Sequence, residues 1–274
     1  MNKIQEFSGE FIGTFLLVFF GCGSVAVAIL FNFLQGIMQI AMIWGFIVMI
    51  AIYMTRHLSD AHFNPAVTCA MIVAGRMKPG KIPVYFTGQF IGAFAAAAVL
   101  YGLFSGTIAN YESLNGIVRG SAESVVTASM FGEFYPNPGA GQFASVTYMN
   151  AFMAEAFGTF LLVLFILLLT EEENVGGPGV PFAPIFIGAG LAINISLLAP
   201  LSQAGFNPAR DFAPRMFSIL AGWGNAAMPD NSMGWLVIYM IGPVIGGSAA
   251  ALLVRFIIKP MLKHRSAQKE EGCR

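Results

Sequence analysis

The sequence predicts an all-α membrane protein with six transmembrane helices and two re-entrant half-helices in an inverted repeat. Three observations lead there. Of 274 residues, 57% are hydrophobic and only 10% charged, where a soluble domain carries roughly 25% charge. Six apolar stretches reach the length of about 20 residues that a bilayer crossing needs. Asn-Pro-Ala occurs twice, at 64–66 and 207–209, each time opening an apolar stretch too short to cross.

The six spans are expected at about 8–30, 37–55, 83–104, 149–170, 181–200 and 233–257. The first begins its apolar run around Phe11 without a small-residue cleavage site, so it is expected to stay as a span. The short stretches 64–75 and 207–221 are flanked by spans and show no charged face, which favours re-entrant half-helices over surface helices. Residues 105–147, rich in Gly, Ser and Asn, read as an ordered outer loop. One channel domain is expected over 1–258: a first repeat at about 5–104, the loop, and a second repeat at about 148–258, then a basic tail at 259–274.

With six spans, Lys3, the group Arg76/Lys78/Lys81 and the tail Lys259/Lys263/Arg265/Lys269 fall on one side. By the positive-inside rule that side is the cytoplasm, with both termini on it and the chain in the cell (inner) membrane. Glu171–Glu173 form an acidic run on the same side, and acidic residues weigh little in this rule. Membrane lipids are the expected surroundings. The formal net charge of zero gives no reason to expect nucleic acid. Cys22, Cys69 and Cys273 are scattered and show no disulfide or metal-ligand spacing.

The two halves echo each other. "GEFIGTFLLVFF" at 9–20 returns as "AEAFGTFLLVLF" at 154–165, so Glu10 matches Glu155 and Asn64 matches Asn207. Each half holds three spans with a half-helix between its second and third. Three is odd, so the second half enters upside down, and the paired short segments are expected to meet at the midplane.

An Asn-Pro pair is a helix start: asparagine caps the first turn, and proline at the first helical position forfeits only an unpaired N–H. Asn64, Pro65 and Ala66, and likewise Asn207, Pro208 and Ala209, are thus expected to begin two helices whose positive ends face each other. Each Asn oxygen caps its helix and leaves the NH₂ to face a pore. Such a field repels cations while the amides attract neutral hydroxylated solutes or water. The preceding stretches Asp60–Phe63 (with Ala61 and His62) and Gln203–Phe206 (with Ala204 and Gly205) must be non-helical, and their carbonyls would serve a passing solute as acceptors. Glu10 and Glu155, buried in spans, would accept from the N–H groups of these loops.

"HFNPAVT", "GFNPARDFAPR" and the "EFIGTF"/"EAFGTF" pair resemble the aquaporin, or major intrinsic protein, superfamily over about residues 5–258. "IVRGSAESV" and "YPNP" within the loop resemble its bacterial glycerol facilitator branch. The resemblance implies a homotetramer with one pore per subunit and no cofactor. It also implies a selectivity filter at Trp44, Ile195, Ala204 and Arg210, and it makes Asp211 and Arg215 a glycerol-type signature. Trp44 would give a broad apolar wall and Arg210 a fork of donors. Glycerol facilitators carry a phenylalanine where Ala204 stands, and the set Trp/Ile/Ala/Arg looks more like nodulin-26-like channels, which pass glycerol, water and small metalloid acids. Asp60 replaces the usual glycine, and Tyr239-Met240 the usual Pro-Leu.

The expected function is a passive channel for glycerol and other small uncharged solutes with water. The alternatives are a water-selective channel, a metalloid or small-acid channel and, from the same repeat architecture, an ion-coupled transporter. An enzyme is not expected: His57, His62 and His264 stand apart in sequence and no catalytic or metal-ligand spacing accompanies them.

Overall fold

The computed structural model describes residues 2–263 apart from 144, 175 and 230–232. Among the described residues six helices are long and apolar enough to cross a membrane. They are α1 (Lys3–Phe31), α2 (Ile37–Thr55), α4 (Ile82–Leu114, preceded by a turn at Pro79–Lys81), α6 (Tyr148–Leu169), α7 (Ala183–Ser202) and α9 (Gly234–Lys263). Between them lie the half-helices α3 (Pro65–Val73) and α8 (Pro208–Ser218), and a short α5 (Val125–Ala128) in the loop. With 9 and 11 residues, the half-helices reach only about 14–17 Å at 1.5 Å per residue, half a bilayer.

Two features differ from the sequence reading. The helix expected to end at 104 runs on to Leu114, so the outer loop begins at 115. Residues 105–114 are too polar to register as a span, yet Ile108 and Glu112 are buried there and hold the helix together. The last span carries π-type turns at Val237–Ile241 and Val254–Ile258. The first directly precedes Pro243, whose missing N–H disturbs the regular ladder.

The halves pack as an inverted pair. At the centre, α2 and α7 cross so closely that a side chain on Gly45 would strike the carbonyl of Gly188, and the reverse. A Cβ on Gly13 of α1 would overlap the Phe63 ring, and one on Gly158 of α6 that of Phe206. Close approach through small residues is how helices pack in lipid.

The side of the termini is here called inner, and that of loop 115–147 outer. The acidic run at the inner side is paired with the basic tail: Glu171 lies 2.7 Å from Arg76 and 2.9 Å from Lys259, and Glu173 3.7 Å from Lys263. Burial opposes the charge on Glu171. Hydrogen bonds with Glu173, Lys259 and Arg76 outweigh it and hold the carboxyl down at about 2. The tail beyond Lys263, with His264, Arg265 and Lys269, lies outside the described residues.

Candidate functional site

The two half-helices meet tip to tip. Asn64 caps α3 by accepting from the N–H groups of Ala66 (2.8 Å) and Val67 (3.4 Å), and Asn207 caps α8 through Ala209 (3.0 Å) and Arg210 (3.2 Å). The amides do not stay wholly free, as the sequence reading had them. Asn64 Nδ2 donates to the Phe206 carbonyl at 2.8 Å, and Asn207 Nδ2 to the Phe63 carbonyl at 2.9 Å. One N–H of each amide thus bolts its half to the other half. It also takes the innermost carbonyl of each loop, so the acceptors left to a solute are fewer than the sequence suggested.

Both loops are irregular in the same way. Ala61 and Phe63 have φ of 56° and 52°, Ala204 and Phe206 of 59° and 51°, left-handed values that non-glycine residues reach at a cost of about 1–2 kcal/mol each. Buried carboxylates hold them there. Glu10 accepts from the N–H groups of His62 (3.0 Å) and Phe63 (2.7 Å), and Glu155 from those of Gly205 (2.9 Å) and Phe206 (2.7 Å). Ser59 and Ser202, one residue before each loop, donate to the same carboxylates at 2.7 and 2.6 Å. This serine pair escaped the sequence reading, although it repeats at the spacing of the Asn-Pro-Ala boxes.

Two tyrosines complete the matched scaffold. Tyr85 Oη accepts from the Asp60 N–H (3.0 Å) and donates to Asp60 Oδ2 (2.9 Å), and Lys81 stands 3.6 Å from the same carboxylate. Tyr239 Oη donates to the Ser202 carbonyl at 3.2 Å. Asp60 and Tyr239, the two unexplained departures, are therefore parts of the loop bracing.

Three cavities follow one another along the molecule. An outer one of about 530 Å³ and a narrow middle one of about 60 Å³ share four lining residues: Trp44, Ile195, Ala204 and Arg210. These are the four positions singled out from the sequence. The middle cavity is also lined by Ala61, His62, Phe63, Asn64, Gly205, Phe206 and Asn207. An inner cavity of about 140 Å³ shares Ile52, Ala61, His62, Val67, Ile166 and Ile187 with the middle one. Asp60 borders only the inner cavity and Gln203 only the outer.

Among the described residues Arg210 is the one arginine lining the middle cavity. Its guanidinium lies 4.5 Å from the Trp44 ring centre, donates to the Phe131 carbonyl at 3.2 Å and forms a close ion pair with Glu133. Glu133, and not the sequence neighbour Asp211, is the acid paired with Arg210, and the sequence did not single it out. Asp211 instead pairs with Arg215, and together they hold the loop: Asp211 accepts from the Glu133 N–H (2.7 Å) and Arg215 donates to the Glu133 carbonyl (2.6 Å). Neither Asp211 nor Arg215 lines any of the three cavities. Among the described residues no group of three or more His, Cys, Asp or Glu side chains is arranged to hold a metal ion.

Comparison with known proteins places this architecture. The family model for the major intrinsic protein matches residues 1–254. The glycerol uptake facilitator of Haemophilus influenzae is 39% identical over 248 residues, 90% of this chain and 91% of that protein. The Escherichia coli K12 glycerol uptake facilitator is 39% identical, over 91% of this chain and 86% of its own length. The propanediol uptake facilitator of Salmonella typhimurium is 36% identical over 91% and 92%. Among solved structures, the aquaglyceroporin from Plasmodium falciparum superposes with a TM-score of 0.80 at 26% identity, covering 96% of this chain and 99% of that one. The chain is a multi-pass membrane protein that belongs to the major intrinsic protein family.

Proposed function

We propose that this chain is a passive channel for glycerol and similar small uncharged solutes, with water, and that it excludes ions and protons. The observation that carries this reading is the junction of the outer and middle cavities, bordered by Trp44, Ile195, Ala204 and Arg210. Trp44 and Ile195 offer an apolar wall to a carbon backbone, Arg210 offers donors to hydroxyl oxygens, and the small Ala204 leaves width. No histidine narrows the ring, which favours a polyol over a water-only pore. Two half-helix tips at one point raise the energy of a cation there. The glycerol and propanediol facilitators among the relatives support the same solute class. The ring composition, nodulin-26-like in kind, keeps small metalloid and organic acids as a second class of solute.

The channel works as a homotetramer in the cell inner membrane with both termini in the cytoplasm. The family supports the assembly, and the basic residues at the inner side support the orientation.

The test is light scattering from proteoliposomes under glycerol, urea and water gradients with membrane potential recorded. Glycerol should enter much faster than into empty vesicles, and no potential should develop. Glycerol entry at the empty-vesicle rate removes the polyol reading, and entry that needs an ion gradient makes the protein a coupled transporter.

A further inference from the structure

Arg210 relies on the carbonyl of Phe131, and Phe131 sits in a loop that crosses no membrane. Something must hold that loop to within a hydrogen bond's tolerance. A clasp at the outer end does so, and none of its residues lines any of the three cavities.

The clasp joins three segments. From the polar extension of α4 comes Glu112, and from the loop just after it Arg119. The guanidinium donates to Glu112 through Nε at 3.3 and 3.0 Å and Nη2 at 2.9 Å, and to Tyr101 Oη at 2.8 Å. Its flat face lies 4.3 Å from the ring centre of Trp223, in the chain just after α8. Trp223 is fully buried and donates to Thr127 Oγ1 at 2.9 Å, while Thr127 donates to Glu112 Oε1 at 2.7 Å. The Trp223 ring system also meets Phe131, with ring centres 5.4 Å apart. The path from Arg119 through Trp223 and Phe131 to Arg210 is therefore continuous contact, and it ties the loop to the same segment that carries Arg210.

We propose that Arg119, acting through Trp223 and Phe131, is a positioning residue that sets the solute preference of the outer ring. This rests on the reading of Trp44, Ile195, Ala204 and Arg210 as the selecting ring. A planar guanidinium suits the task because it stacks on the indole and bonds a carboxylate sideways in one geometry, which a lysine cannot do. If Phe131 is released, Arg210 Nη1 loses its acceptor on the wall and turns into the passage, while Nη2 stays on Glu133. A bulky polyol then suffers more than water.

The experiment measures glycerol and water rates in proteoliposomes of the wild type, Arg119→Gln, Arg119→Lys and Trp223→Phe. The glycerol-to-water ratio should fall by about threefold or more in R119Q, the size expected of a change within a packed path that itself touches no solute. R119K, which keeps the charge against Glu112 and loses the stacking face, should fall between. A merely structural role lowers both rates together and leaves the ratio alone, and that result overturns the proposal. If R119Q does not assemble, W223F carries the test, since it keeps an aromatic wedge while losing the bond to Thr127 and part of the face that Arg119 and Phe131 pack on; an unchanged ratio there also overturns it. Wild-type vesicles that pass no glycerol refute the channel reading itself, a distinct outcome.

Discussion

The two ends of the middle passage are the same construction with different chemistry. At the outer end stand Trp44, Ile195, Ala204 and Arg210; at the inner end, in positions 143 residues away around the repeat, stand Ile187, Ile52, Ala61 and Val67. The backbone beneath is matched almost bond for bond: an asparagine cap, two left-handed residues, a buried glutamate and a serine on each side. Of the two rings, the outer alone carries a tryptophan and a guanidinium; Arg56 lines the inner cavity without reaching the middle one. The comparison separates what holds the pore open, which both halves supply, from what chooses the solute, which one end supplies.

Breaking the asymmetry at its charge should have a large effect. Arg210→Val makes the outer ring resemble the inner one, and it leaves Glu133, only 1% exposed in its side chain, without a cation. A loss of about 3–5 kcal/mol is expected, read as a lowered melting temperature in detergent. Arg210→Val combined with Glu133→Val should recover most of it. Val67→Ala at the inner counterpart should cost well under the single Arg210 change. A single R210V variant as stable as wild type would mean that Glu133 is not held by this pair.

The shared scaffold makes the next test. Glu10→Ala and Glu155→Ala each strip two loop N–H groups and a serine of their acceptor, and Glu10→Ala also strips the Gln89 amide, which donates to Glu10 at 2.7 Å. Each orphaned group costs about 1–3 kcal/mol, so both variants should be severely destabilised, Glu10→Ala the more by about 1–3 kcal/mol. Equal melting shifts would show that the Gln89 bond carries none of the load. The tyrosines are unequal too. Tyr85→Phe removes two hydrogen bonds with Asp60 and Tyr239→Phe removes one, giving roughly 2 and 1 kcal/mol respectively.

Glu171, away from both rings, should give the smallest effect. Its folded-state carboxyl sits at about 2, below the usual glutamate value of about 4.3. A depressed value means the stabilisation is complete above the unfolded value and fades as pH falls toward 2. The melting difference between wild type and Glu171→Gln should thus be a few degrees, constant from neutral pH to about 5, and shrinking below about 4. A difference that varies between neutral pH and 5 would contradict this.

Much of this was legible in the sequence because membranes impose simple rules. Apolar length set the spans, Asn-Pro set the half-helix starts, and the "GTFLLV" echo set the inverted repeat. Glu10 and Glu155 stood out as lone acids in apolar helices. Glu133 did not, because it meets Arg210 across 77 residues from a loop whose composition carries no period. Tyr239 read as an oddity since its match with Tyr85 lies 154 residues away, while the boxes are 143 apart; unequal connections hide the register. The outer extension of α4 was invisible to hydropathy, because what holds it is Glu112 and Arg119, polar groups that satisfy each other. Reciprocal bonding of the asparagine amides follows only from seeing both loops at once.

The most direct measurement narrows the two rings in matched fashion: Ala204→Phe with Ile195→His at the outer end, Ala61→Phe with Ile52→His at the inner. Glycerol and water rates are then recorded for each in proteoliposomes. The outer pair should lower glycerol entry about tenfold more than water entry, a discrimination within reach of steric fit alone, and the inner pair should leave the glycerol-to-water ratio near wild type. Equal falls in that ratio, or a larger fall from the inner pair, would contradict the assignment of solute choice to the outer ring.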